Sequence, residues 1–188
     1  DDLSSLAWVH EELRKTLEQA HKHLRRCLRD VQAASGDDLH DVEPTVLRNA
    51  RHLLHQGVGA LELVNVPEGA VLLRASEALV QKFVAKPSKL DVAAVEAVEQ
   101  ASFGLIDYFG RRLAGKPTEA VALFPQLRAV LEKSAAERVH PADLWAFDWR
   151  WRSVAALPAQ PQQPGARMLA EFERRLLSLV RQSAPADA

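Results

Sequence analysis

Cysteine is almost missing from this sequence: Cys27 is the one thiol in 188 residues. A single thiol excludes an internal disulfide and a multi-cysteine metal site, and it fits a reducing compartment with Cys27 as core filler. Net charge is nearly missing as well, at −1, which removes the electrostatic reason to expect nucleic acid or an anionic membrane as a partner. No apolar run approaches the roughly 20 residues that cross a bilayer, and no signal-peptide pattern opens the chain; a cytoplasmic protein is expected. There is no glycine-rich phosphate loop, no HExxH and no nucleophile elbow, so no nucleotide site, metal or cofactor is expected in these residues. The chain opens on Asp1 rather than Met, as expected of a piece of a longer protein.

What is present is an ordinary globular balance, 47% hydrophobic and 26% charged, distributed with helical period. Leu3, Leu6, His10, Leu13, Leu17, Ala20, Leu24, Cys27 and Val31 alternate spacings of three and four, which predicts one long amphipathic helix over 3–31 with Ser4 or Ser5 as its cap. His10 on that seam reads as a histidine paired at the bundle edge. A polar loop over 34–44 follows, and a second helix is expected over 44–65. Further helices are predicted over 68–85 (Leu72, Leu79 and Phe83 inward; Arg74, Glu77 and Lys82 outward), over 90–114 with Ser88 as its cap, and over 118–136 with a break near Phe124 imposed by Pro125. Short loops between long amphipathic helices imply antiparallel neighbours. The fold class expected is therefore all-α, an antiparallel helical bundle.

The helix over 44–65 carries the most chemistry. At 100° per residue Leu47, Ala50, Leu54, Val58, Leu61 and Val64 collect on one side, and Arg48, Arg51, His52, His55, Gly59 and Glu62 on the other. A histidine on the wet side with glycine at i+4 has the layout a phosphoryl acceptor needs: an exposed imidazole on a rigid helix, with no bulky neighbour on the turn where a partner approaches. Gly59 costs helix stability, and Gly57 repeats the cost; Gly57 projects toward the apolar side, where close helix packing would explain it. His52 and His55 at i, i+3 lack an assured third ligand, and His40 among Asp37, Asp38 and Asp41 reads as a solvated loop, so no metal site is expected.

Beyond residue 138 the composition changes. HPADLWAFDWRWRSV places Trp145, Trp149 and Trp151 within a few residues of one another, interleaved with Arg150 and Arg152. Such alternation can stack on single-stranded nucleic acid, against which the overall charge argues. The preferred reading is an aromatic strap anchored on the bundle through Trp145 and Trp149, with a partner surface as the alternative. PAQPQQPG is a linker, and a last amphipathic helix follows through Leu169, Phe172, Leu176, Leu177 and Val180. The expected organisation is thus 1–138 bundle, 139–157 strap, 158–165 linker and 166–183 C-terminal helix.

The stretch LLHQGVGALELV resembles the motif of histidine phosphotransfer (HPt) domains, in which the histidine is followed by lysine at i+3 and glycine at i+4. His55 and Gly59 match, whereas Val58 stands in the lysine position. The order of HQGVGALELV, the EGAVLL helix, ALFPQLR and HPADLW is similar to the N-terminal region of chemosensory hybrid histidine kinases of the ChpA/PilL type and of the related scaffold protein FimL, over roughly residues 3–182. The resemblance implies an HPt-like bundle with extra C-terminal helices and a place in the two-component system that controls type IV pili and twitching motility. It also implies response-regulator receivers and polar scaffold proteins as partners, with recruitment to the cell pole. In the family the lysine lies beside the phosphohistidine and helps accommodate its charge; a valine offers neither charge nor hydrogen bond, and Arg51 could supply charge from the preceding turn. Two readings stay open. The preferred one, favoured by Val58, is a non-catalytic interaction module, with Arg48, His52, Glu62 and the three tryptophans as docking candidates; the alternative is an active phosphotransfer domain with His55 as acceptor. Neither makes this chain an enzyme by itself, although its parent would be a CheA-like kinase.

Overall fold

The computed structural model describes residues 3–34, 43–145 and 165–182. Every regular element among them is helical: α1 Leu3–Ala33, α2 Thr45–Leu63, α3 Pro67–Ala85, α4 Val92–Leu113, α5 Phe124–Lys133 and α6 Ala166–Gln182, with short 3-10 turns at Pro87–Lys89, Ala120–Leu123 and Pro141–Leu144. The chain divides into two compact units, Asp1–Phe147 and Asp148–Ala188.

The first unit is an antiparallel bundle. Its core gathers one apolar stripe from each helix: Leu13, Leu17, Ala20, Leu24 and Cys27 from α1, Leu47, Leu54 and Leu61 from α2, Leu72, Leu73 and Leu79 from α3, with Phe83 only partly buried, Leu105 and Phe109 from α4, and Leu127 and Val130 from α5. Side-chain pairs fix the directions. Arg51 meets Gln81 while His55 meets Glu77, so α2 and α3 run antiparallel. Arg25 meets Glu99 while His10 meets Ile106, so α1 and α4 do too. His10 Nε2 donates to the Ile106 carbonyl at 3.2 Å and sets its ring edge-on to Phe109, the pairing expected of a seam histidine.

Helix ends follow local chemistry, twice differently from expectation. α1 already runs from Leu3, so Ser4 and Ser5 lie inside its first turn rather than ahead of it. The cap of α4 is Asp91, whose carboxylate accepts from Ala94 N at 2.6 Å, and not Ser88, which sits in the Pro87–Lys89 turn. An anionic acceptor at the positive end of a helix outcompetes a hydroxyl three residues away. The turn from α2 to α3 is made by Asn65 at φ 56, with Val66 N donating to Leu61 O at 2.9 Å; asparagine tolerates this left-handed conformation and closes the helix on its own carbonyls. Pro125 sits in the first turn of α5, so the 3-10 turn Ala120–Leu123 hands over to α5 at Phe124, where the break was expected.

The second unit contributes α6, whose Met168, Leu169, Phe172, Leu176 and Leu177 are exposed. No described helix is long and apolar enough to cross a membrane.

Candidate functional site around His55

Near the middle of α2 the two faces of the helix separate cleanly. Leu54, Gly57, Val58 and Leu61 are buried, and His55 stands out with 65% of its side chain exposed. The two glycines have different causes. A Cβ on Gly57 would lie 2.8 Å from Leu73 Cδ1 and 3.0 Å from Leu13 Cδ1, whereas a Cβ on Gly59 would meet nothing within 4 Å. Gly57 is therefore a packing glycine, squeezed by leucine side chains rather than by a neighbouring backbone. At Gly59 packing leaves room for a side chain, and the sequence has none. Because Cβ atoms lean toward the helix N-terminus, a side chain at 59 would lean back toward the His55 turn.

α3 supplies what the sequence did not reveal. His55 Nδ1 lies 3.1 Å from Glu77 Oε2. A carboxylate only accepts, so the contact places an imidazole proton on Nδ1 and, in the neutral ring, the lone pair on Nε2, which makes no hydrogen bond among the described residues. On the other carboxylate oxygen, Arg51 Nε lies 3.5 Å from Glu77 Oε1, and Arg51 Nη1 donates to Gln81 Oε1 at 2.6 Å. Two i, i+4 pairs, Arg51/His55 on α2 and Gln81/Glu77 on α3, thus face each other across the hairpin. Glu77 reads from the sequence as an outward residue without a role, and Gln81 not at all. Their signal is the matched spacing, which becomes visible only once the Asn65 turn fixes the register of the two helices.

The other candidates are not part of this constellation. Val58, at the position of the family lysine, is 4% exposed and belongs to the core, so its side chain supports the helix from inside and is not beside the imidazole. His52 Nε2 lies 3.1 Å from Gln56 Nε2 while His55 turns to Glu77, so the two histidines do not converge. Among the described residues no three His, Cys, Asp or Glu side chains gather as metal ligands; the cluster at His40 lies outside the described residues. Glu62 pairs with Arg74 one layer further toward the Asn65 turn, and Arg48 is exposed at the opposite end of α2.

Trp145 stands apart from His55, at the end of the bundle where α2 turns into α3. It is 50% exposed and lines an open cleft of about 720 Å³ with Pro67, Glu68, Arg112 and Leu144. Its neighbour Leu144 is buried in the core cluster, whereas Trp145, expected as an anchor on the bundle, is half in solvent. Trp149 and Trp151 lie outside the described residues. The floor of this region is a buried carboxylate, Glu68, accepting from Tyr108 Oη at 2.6 Å and Arg112 Nη1 at 3.2 Å. Burial and this carboxylate push the Tyr108 hydroxyl up to about 12, which suits a structural hydrogen bond rather than proton exchange near neutral pH.

Against protein-family models, curated proteins and solved structures, the chain has no match.

Proposed function

We propose that this bundle is a histidine phosphotransfer module with His55 as its acceptor. The observation that carries the reading is the Glu77 contact: an exposed imidazole whose Nδ1–H is held by a carboxylate presents Nε2, in its neutral form, as the oriented nucleophile. In the transfer, the Nε2 lone pair attacks the phosphorus of an aspartyl phosphate on a receiver domain. The P–O bond breaks with its electron pair returning to the aspartate oxygen, and the imidazolium so formed keeps its proton on Nδ1, hydrogen-bonded to Glu77. Gly59 leaves the approach open. The resemblance to chemosensory kinases of type IV pilus systems supplies the setting, with receivers of that system as partners at the cell pole.

A second reading has its own observation. With Val58 turned into the core, the site lacks a cation one turn beyond His55, which fits a module that docks chemosensory partners without chemistry.

The test is label transfer from the phosphorylated receiver of the chain's own system. Wild type should take up acid-labile label, His55→Gln none, and Glu77→Gln label on the order of tenfold more slowly, as when an orienting partner of a reactive imidazole is lost. An unlabelled wild type, with receivers active on another acceptor, would overturn the proposal in favour of the docking module.

A further inference from the structure

The geometry points to Arg51 as the counter-charge of a phosphorylated His55, held in waiting by Gln81. This inference rests on the phosphoacceptor reading and concerns how the same site manages charge. A phosphoryl group on Nε2 adds about −1.5 to −2 charges, next to the Glu77 carboxylate that already holds Nδ1. Like charges at this spacing oppose the product unless a cation answers them.

The cations of the α2/α3 face divide by what already holds them. Arg74 is bound to Glu62, and Lys82 donates to the Ser134 carbonyl. Arg48 lies two turns away from His55 on α2. Arg51 is different: its short contact is to a neutral amide, Gln81 Oε1 at 2.6 Å, and its approach to Glu77 is long, 3.5 Å. An arginine whose nearest partner is an amide gives up little by exchanging it for phosphoryl oxygens, which accept charge-assisted bonds from a nearby cation. Its position is favourable as well. Side chains lean toward the helix N-terminus, so the His55 ring tilts back over the turn that carries Arg51. The side chain is 43% exposed, so it has room to swing.

Phosphoramidate, a small phosphoryl donor, tests this without any partner protein. Nε2 attacks its phosphorus, the P–N bond to the donor nitrogen breaks, and that nitrogen leaves as ammonia with the electron pair. Labelling rate and the lifetime of the phosphohistidine are read by mass spectrometry for wild type, Arg51→Gln and Arg51→Lys, at low and high salt, with thermal unfolding as the fold control. Arg51→Gln should label and retain phosphate about threefold less well at low salt, as for a partly exposed charge pair; Arg51→Lys should recover most of the loss; and high salt should close the gap. Equal behaviour of wild type and Arg51→Gln would overturn the role of Arg51 while leaving His55 as acceptor. A loss that lysine does not rescue, or that salt does not change, would overturn it equally, because it would mark a packing role. A wild type that takes no phosphate would remove the acceptor reading and this inference together.

Discussion

At the scale of single residues, the two glycines of α2 make opposite demands that substitution separates. Alanine in place of Gly57 gains helix propensity of about 1 kcal/mol but places a Cβ against Leu13 and Leu73, both buried. Overpacking of that kind costs about 1–3 kcal/mol, so Gly57→Ala should be destabilising by roughly 1 kcal/mol in a denaturant titration. Alanine at Gly59 meets nothing and keeps the whole propensity gain, so Gly59→Ala should raise stability by up to about 1 kcal/mol. It should at the same time slow label transfer from a receiver, by filling the approach to His55, and leave phosphoramidate labelling less affected because that donor is small. A Gly59→Ala protein that gains stability and transfers label as fast as wild type would mean that the open turn serves no partner.

At the scale of elements, the α1/α4 seam holds the charge and burial that set a pH dependence. His21 on α1 is 8% exposed, its buried Nε2 has no hydrogen bond among the described residues, and its ring packs edge-on against Phe103. Glu99 of α4 is also buried, and both of its oxygens are taken by Arg25, Nε at 2.5 Å and Nη2 at 2.9 Å. Burial holds the His21 imidazole below its usual value, with Arg25 adding to the shift and Glu99 and Glu18 opposing it. Below about pH 6.5 the unfolded chain binds a proton at this histidine that the folded chain resists, so stability falls as pH drops through that value and on toward the depressed folded value. The slope is at most about 1.4 kcal/mol per pH unit. His21→Phe should flatten the dependence of the denaturation midpoint between pH 7.5 and 5.5. Arg25→Gln should also reduce it, since the freed Glu99 carboxylate can then answer an imidazolium. If His21→Phe keeps the wild-type slope, the titrating group lies elsewhere. This seam also shows what is legible in a sequence. The 3.6-residue period exposed every bundle helix and the place of His10 and Cys27, because burial repeats along one chain. The pairing of Arg25 with Glu99, or of His55 with Glu77, depends on the register between two helices, which no single helix encodes. For the same reason the sequence yielded His55 and Gly59 but not Glu77 or Gln81, whereas Val58 lies in the core, on the apolar stripe that the period assigned it.

At the scale of the whole molecule, each described core residue of the bundle falls within Asp1–Phe147, and the last of them is Leu144. The turn that delivers Leu144 is tied down locally. His140 Nδ1 accepts from Ala142 N at 3.1 Å, Asp143 accepts from His140 N at 3.2 Å, and Arg138 reaches Asp143 at 3.1 Å. A fragment ending at residue 138 would lose both this capped turn and the leucine it inserts. Removing a buried leucine costs about 2–5 kcal/mol, which for a unit of this size lowers the unfolding temperature by roughly 5–15 °C. Residues 1–147 should therefore unfold in a single cooperative transition on their own, residues 1–138 at a distinctly lower temperature, and Leu144→Ala in the longer fragment should reproduce much of the difference. Equal midpoints for the two fragments would show that Leu144 contributes little and that the bundle ends before it. Because α2 and α3 lie wholly inside 1–147, the shorter unit should also retain phosphoramidate labelling at His55. A fragment that folds cooperatively but no longer labels would place some determinant of the site beyond residue 147, where neither His55 nor Glu77 can account for it.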